Sequence, residues 1–257
     1  MVIESSPKSK DRLNYKVLLI ILASGVTFQI FNSIIPEREH ELDLINNIIS
    51  ASTAITSISA FYIAKRYHGS DVFGKAYLAL GAAYLVWFIG DMIWNYEEII
   101  LKVHAYPSPS DIFYFAFYPF ASFYLIRNIF HWKQKFSLPT KILAIALPPL
   151  IIAIYTYLTY HQGGITNFDY YYGLIFVVGA AITFPLAILG VQVYKQSRLA
   201  VVWALIAVGI LLNVIADDWQ YYLEIFQQFH RVEVISALWF TSNMIIIYAL
   251  YKHRKAI

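Results

Sequence analysis

Hydrophobic residues occur along the chain in eight long blocks that are separated by short polar segments. A helix of about 20 apolar residues crosses the hydrocarbon core of a bilayer, and each block is long enough to do so. The pattern therefore predicts an all-α, polytopic membrane protein without a large domain outside the bilayer. The predicted spans cover residues 15–35, 44–66, 73–98, 109–131, 141–160, 169–194, 199–225 and 232–251.

The composition agrees with this pattern. Hydrophobic residues make up 59% of the chain and charged residues 14%, whereas soluble domains carry about 25% charged residues. The absence of cysteine excludes disulfides, iron–sulfur ligation and thiolate metal sites. The first span follows a polar and then basic segment and lacks a small-residue cleavage signature, so we expect a retained helix and not a signal peptide.

Lys and Arg concentrate at alternate connections between the predicted spans. Sixteen of the 19 lie at the termini and around the connections after spans 2, 4 and 6, and only Arg38, Lys102 and Arg231 lie on the other side. Because cytoplasmic loops retain positive charge, eight spans predict a multi-pass cell-membrane protein with both termini in the cytoplasm. Seven spans would break this alternation.

Two similar segments indicate an internal repeat. "IGDMIWNYEEI" (89–99) and "IADDWQYYLEI" (215–225) align at an offset of 126 residues, and "AIT" at 54–56 recurs at 181–183. The similarity predicts two four-span repeats, residues 1–135 and 136–257, which an even number of spans makes parallel. Chance similarity between hydrophobic helices is the alternative.

Acidic residues inside the spans are the main candidates for function. Asp91, Asn95 and Glu98 have the spacing i, i+4, i+7 of one helix face, and Asp217, Tyr221 and Glu224 repeat it, with Asp218 adjacent. A charge at the bilayer centre costs at least about 2.5–3.5 kcal/mol. Three interpretations remain open: an outward-facing acidic and aromatic pocket, structural hydrogen bonds to neighbouring helices, or acids at the membrane surface.

The segment "YPSPSDIFYFAFYP" (106–119) follows directly and opens the fourth predicted span. Ser108 and Asp111 have the spacing of a helix capping box. Together with span 3, the segment resembles multi-span input regions that precede diguanylate cyclase and phosphodiesterase domains in many bacterial proteins, with Ser110 in place of the usual Ala. The matching residues are Gly90, Asp91, Trp94, Glu98, Pro107, Ser108, Asp111, Tyr114, Tyr118 and Pro119.

This resemblance implies a role in extracytoplasmic sensing or binding without identifying the ligand. The chain ends at "YKHRKAI", where an output domain would begin in those proteins, so we expect signalling through a partner at the basic cytoplasmic loops. The candidate ligand-binding residues are Asp91, Trp94, Asn95, Glu98, Asp111, Tyr114, Tyr118, Asp217, Asp218, Tyr221 and Glu224.

Several other chemistries have less support. The seven histidines lie in predicted loops or at span ends, and every lysine is near a span end, which disfavours haem and retinal. His104, His161 and His230 with Glu98 or Glu224 leave an outer metal site open. "EEIILK" and "FQQFH" approximate the signatures of CAAX-type intramembrane proteases, but Lys102 replaces the Arg. The basic loops are explained by orientation and give no support for nucleic-acid binding.

The sequence therefore favours a non-enzymatic membrane protein that binds a small cationic or protonatable ligand from outside and needs no cofactor. A small ion- or proton-coupled transporter is the second interpretation. It requires a polar path that continues inward, where span 6 offers Thr183 and span 7 Asn213. The third is a structural subunit of a membrane complex. In each case the lipid bilayer is the surrounding partner.

Overall fold

The computed structural model describes residues 13–34, 44–103, 106–132, 135–161, 168–225 and 234–256, and these parts of the chain are helical, with no strand among them. The predicted helical elements are confirmed, with ends that differ from the prediction by a few residues. The helices are α1 (Tyr15–Ile34), α2 (Leu44–Arg66), α3 (Phe73–Asn95), α4 (Ser110–His131), α5 (Leu138–His161), α6 (Phe168–Tyr194), α7 (Ala200–Ile225) and α8 (Val234–Ala256).

Seven of the helices in the described residues are long and apolar enough to cross a membrane, which makes this a multi-span membrane protein. The helix that does not qualify is α4, although the sequence predicted it as a span. Its polar residues, above all Asp111, Arg127 and Asn128, reduce its hydropathy. The side chains of Ile112 and Phe130 on α4 are nevertheless strongly exposed.

Six of the helices form a closed ring. Around the ring, α2 contacts α3, α3 contacts α4, α4 contacts α6, α6 contacts α7, α7 contacts α8, and α8 returns to α2. The helices α1 and α5 lie outside it, against α8 and α6 respectively. Most of the side chains of α5 are therefore directed outward, and only Tyr155 and Thr159 of this helix are buried.

Glycine allows close contact between helices at two places in the ring. A Cβ atom on Gly90 of α3 would lie 2.8 Å from a ring carbon of Tyr114 on α4. A Cβ atom on Gly179 of α6 would lie 2.6 Å from the ring of Tyr118, also on α4. Small residues let helices approach closely in membranes, and here they bring two tyrosines of α4 against both neighbouring helices.

Helix α3 does not end at Asn95. It continues as a π-helical segment, Tyr96–Leu101, and stops at Lys102, which has the left-handed backbone conformation (φ 56°). A π-helical turn pairs residues i and i+5. Side chains after Asn95 therefore leave the i, i+4, i+7 register that the sequence predicted for this face.

Candidate functional site

A cavity of about 80 Å³ lies inside the ring, at the end where α3 connects to α4. All six ring helices contribute to its wall. Because one water molecule needs about 10–15 Å³ of such space, the cavity has room for several waters or one small organic ion. Its lining consists of Asn46, Ile49, Ser50, Trp87, Asp91, Trp94, Asn95, Tyr106, Ser108, Asp111, Tyr114, Tyr118, Phe176, Asp217, Gln220, Tyr221, Glu224, Ser236 and Trp239.

Nine of the eleven residues that the sequence proposed for the site lie on this wall: Asp91, Trp94, Asn95, Asp111, Tyr114, Tyr118, Asp217, Tyr221 and Glu224. Glu98 and Asp218 are not part of the described lining. Glu98 belongs to the π-helical segment and so has left the face of Asp91. Asp218 follows Asp217 by one residue, which turns it by about 100° around α7.

Asp217 is buried, with 3% of its surface exposed, and both of its oxygens accept hydrogen bonds. Tyr118 of α4 donates to Oδ2 over 2.8 Å, and the indole nitrogen of Trp239 on α8 donates to Oδ1 over 2.8 Å. Asp217 thus connects α7 to two other ring helices. Each oxygen of this carboxylate therefore has a hydrogen-bond donor among the described residues.

Asp91 is also buried, with 9% exposed, but its partners are fewer. Tyr114 of α4 donates a hydrogen bond to Oδ1 over 3.2 Å. The other oxygen, Oδ2, accepts no hydrogen bond from any described residue. An unpaired buried polar atom is costly, and this one belongs to a residue of the cavity wall.

The two aspartates have donors at nearly the same sequence separation. Asp91 and Asp217 are 126 residues apart, and their donors Tyr114 and Trp239 are 125 residues apart. Ile49 and Phe176 also face the cavity from α2 and α6, at a separation of 127 residues. The cavity therefore receives residues in pairs from the two halves of the chain.

The segment that connects α3 to α4 forms the rim of the cavity. The hydroxyl of Ser108 donates a hydrogen bond to Glu97 on the π-helical segment, and its backbone N–H donates to Asp111 Oδ2 over 2.7 Å. Tyr172 of α6 donates to the same oxygen over 2.8 Å. Half of the predicted capping box is thus present, since Asp111 accepts from Ser108 while the Ser108 hydroxyl bonds elsewhere.

Tyr106 also belongs to this rim and lies outside the helices. Its hydroxyl has no hydrogen-bond partner in the described part of the chain. Burial, with a smaller contribution from nearby acids, raises the pKa of Tyr106 above its ordinary value. The side chain therefore remains a neutral phenol that can both donate and accept.

The cavity wall is acidic and aromatic. Asp91, Asp111, Asp217 and Glu224 contribute carboxyl groups, and no Lys, Arg or His is found among the described residues that line it. Trp87, Trp94 and Trp239 are among its aromatic members. No three His, Asp or Glu residues in the described segments come together as ligands for a metal ion.

The opposite end of the ring contains a second polar cluster, which the sequence did not predict. Helix α8 extends to Ala256, beyond the predicted end at residue 251, and His253 near this end of the helix is fully buried. Tyr67 lies 3.0 Å from its Nε2 and Tyr77 lies 2.8 Å from its Nδ1. Tyr124 donates to the Tyr77 hydroxyl over 3.3 Å.

Sequence reasoning missed several wall residues, including Ser50, Phe176 and Trp239. Extending the repeat to spans 4 and 8 would have paired Trp239 with Tyr114, but the two differ in type and give no sequence match. Parts of the prediction fall outside the described residues, namely His104 and His230 of the metal hypothesis and "FQQFH" of the protease hypothesis.

Comparison with known proteins adds no family: no family model matches the sequence, and no match was found among curated proteins or solved structures. The contacts and charges of the site are therefore the basis for a function.

Proposed function

We propose that this integral membrane protein binds a small organic cation, from the extracytoplasmic side, in the acidic and aromatic cavity of its helix ring. The observation that carries the proposal is the wall itself, where four carboxyl groups face one small space without a basic residue among the described lining. Such a wall attracts positive charge, and a cation would satisfy the Asp91 oxygen that has no partner.

The aromatic side chains favour an organic cation over a metal ion. A Ca²⁺ site needs six to eight oxygens around one point, and the acids of the described residues do not converge in this way. Trp87, Trp94 and Tyr114 instead place aromatic side chains on the same wall as the carboxyl groups. A cation within about 6 Å of such a face gains about 0.5–2 kcal/mol.

The proposal includes two parallel four-helix repeats. Exchanging α2, α3 and α4 with α6, α7 and α8 maps every contact of the ring onto another contact of the ring. The equivalent hydrogen bonds to Asp91 and Asp217 support the same relation. The outer helices depart from it, since α1 packs on α8 while α5 packs on α6.

The orientation rests on the distribution of charge and on α4 crossing the bilayer. Helix α4 fills the place between α3 and α6 in the ring, and its exposed Ile112, Phe120 and Phe130 suit contact with lipid. With eight spans, Lys65, Arg66 and the basic end of α8 lie on the cytoplasmic side, in agreement with the positive-inside rule.

Binding without transport is the better-supported mode. Polar side chains do continue inward from the cavity along α2, where Ser52, Thr53, Thr56 and Ser57 are buried, and this row is longer than the sequence suggested. The residues Ala60, Ile63 and Ala64 that follow on α2 are buried and apolar. They separate the row from the His253 cluster, so a sensing role, which the resemblance to input regions also implies, fits better than a transport path.

The experiment compares a cation with its uncharged analogue. The protein in nanodiscs of zwitterionic lipid would be unfolded by heat with propylammonium chloride, with 1-propanol, or with sodium chloride, at constant ionic strength. A ligand that binds only the folded state raises stability by about 2.7 kcal/mol at one hundred times its Kd. We expect propylammonium to raise the unfolding temperature and the other two solutes not to.

Two variants make the test specific. Asp91→Asn removes the charge at the unpaired oxygen and should abolish the effect of propylammonium. Asp71→Asn removes an acid whose side chain is 76% exposed beside Lys75, far from the cavity wall, and should preserve it. An equal effect of sodium chloride, or an undiminished effect in Asp91→Asn, would contradict the proposed function.

A further inference from the structure

We propose that the cavity selects cations that carry N–H groups, such as primary ammonium ions, and holds them between Asp91 and Asn95 of α3, while Asp217 is a structural anchor. The inference rests on the proposed function and adds the ligand class and the residues that recognise it. It is argued from a difference between two positions that the repeat makes equivalent.

The difference lies in the second donor to each aspartate. Asp217 receives Trp239 and also Tyr118. Tyr114 and Trp239 are 125 residues apart, and the same offset from Tyr118 leads to Asn243. If the repeat held in every detail, Asn243 would therefore be the second donor to Asp91. Asn243 does not donate to Asp91 but to Ser52 Oγ over 2.8 Å and to Thr53 Oγ1 over 3.1 Å on α2. Asp91 Oδ2 is left unpaired for this reason.

The donors near Asp91 do not reach Oδ2 with the geometry of a hydrogen bond. Ser50, Thr53 and Trp87 lie close to the carboxylate. The Thr53 hydroxyl, however, donates to the Ile49 carbonyl over 3.2 Å and accepts from Asn243. The Ser50 hydroxyl accepts from Asn95. None of the described side chains donates a hydrogen bond to Asp91 Oδ2. Buried polar atoms are normally paired, so we infer that a donor from outside the chain binds this oxygen.

A second unpaired acceptor lies one helical turn away. Asn95 is 7% exposed, lines the same cavity, and directs its amide nitrogen to Asn47 Oδ1 and Ser50 Oγ. Its Oδ1 accepts no hydrogen bond from the described residues. Residues i and i+4 of a helix are neighbours on one face, and both Asp91 and Asn95 line the cavity, so two buried oxygens that require donors lie on the same face of α3.

Two unpaired acceptors distinguish among cations. A quaternary ammonium ion has the charge that the acids require but no N–H, so it would leave both oxygens unsatisfied. A primary ammonium ion has three N–H groups and can pair with Asp91, Asn95 and a further acceptor such as the Tyr106 hydroxyl, which lines the same cavity. A site with buried acceptors discriminates strongly against an analogue that lacks the donor.

The test uses four ammonium ions that carry the same charge but successively fewer N–H groups: methylammonium, dimethylammonium, trimethylammonium and tetramethylammonium. Dissociation constants would be measured by saturation-transfer NMR with the protein in zwitterionic nanodiscs. We expect the Kd to rise by about tenfold or more from methylammonium to tetramethylammonium, as two unpaired acceptors require. In Asn95→Leu, the ratio between the two ions should fall to roughly the square root of the wild-type ratio, about threefold for a wild-type ratio of about tenfold, because one of the two acceptors has been removed.

The outcomes separate this inference from the proposed function. If tetramethylammonium binds the wild-type protein as tightly as methylammonium, the cavity is an aromatic cage for charge, and the inference fails while the proposed function stands. An unchanged ratio in Asn95→Leu would remove Asn95 from the site and overturn the inference as well. If no ion of the series binds better than methanol, both fail. Because the comparison of the four ions uses the wild-type protein, its outcome does not depend on whether a variant folds.

Discussion

The hydrogen bond from Tyr118 to Asp217 joins the two halves of the ring, and removing it should measurably destabilise the protein. Tyr118 lies on α4 and Asp217 on α7, the two side chains are buried, and the donor–acceptor distance is 2.8 Å. Tyr118→Phe deletes the hydroxyl and keeps the ring, which packs on Gly179. The carboxylate would then retain Trp239 as its donor and have one buried oxygen without a partner.

The expected cost follows from the burial and the partner. Hydrogen bonds between membrane helices average about 0.6 kcal/mol and reach about 1.7 kcal/mol, while leaving a buried acceptor unpaired costs about 1–3 kcal/mol. We therefore expect Tyr118→Phe to lower the free energy of unfolding by about 1–2 kcal/mol. Tyr114→Phe removes the longer, 3.2 Å bond to Asp91, and should cost about 0.5 kcal/mol.

The assay is equilibrium unfolding of both variants and of wild type in mixed micelles with a denaturing detergent. Asp217→Asn and the double variant Tyr118→Phe/Asp217→Asn complete a double-mutant cycle, which isolates the interaction between the two side chains. A cost for Tyr118→Phe equal to or smaller than that for Tyr114→Phe, or a coupling energy of zero in the cycle, would refute the assignment of Asp217 as the anchor between the halves.

Three further predictions use other parts of the ring. Gly90→Ala would place a methyl group against the Tyr114 ring and should lower stability by about 1–3 kcal/mol through overpacking; normal stability would show that α4 can move away freely. Asp217→Asn should lower the free energy of unfolding by about 1–3 kcal/mol, because the new amide group would face the two donors Tyr118 and Trp239. Asp91→Asn should cost less. If thermal unfolding gives the reverse order, Asp217 is not the structural anchor and Asp91 is not the binding residue. His253→Leu should cost about 1–3 kcal/mol by leaving the Tyr67 and Tyr77 hydroxyls without this partner, and a stability unchanged in thermal unfolding would argue against the second cluster.

The helices were predictable because long apolar blocks specify them almost directly. Asp91 and Asp217 were also predictable as inward-facing residues, since an acid inside such a block is too costly to face lipid. The helix ends were predictable to within a few residues, with one instructive failure. The last span was predicted to end at residue 251, yet α8 continues to Ala256, and His253 on this extension is buried.

The order of the helices in the ring was beyond sequence reasoning. Which helices are neighbours depends on side-chain packing, such as Tyr118 against Gly179, and hydropathy does not contain this information. The position of Glu98 was predicted from ideal α-helical spacing, and the π-helical segment invalidated that spacing. The role of Trp239 was hidden because the donors to the two aspartates, Tyr114 and Trp239, differ in residue type and give no sequence match.

The measurement that tests the central claim most directly is saturation-transfer NMR of methylammonium with wild type, Asp91→Asn and Asp71→Asn in identical zwitterionic nanodiscs. The central claim is that the carboxylate of Asp91, buried with one oxygen unpaired, binds a small cation inside the ring. It predicts a saturable signal for wild type and Asp71→Asn that disappears in Asp91→Asn. Signals of equal size in all three proteins would place the cation on the lipid or the protein surface and contradict the claim.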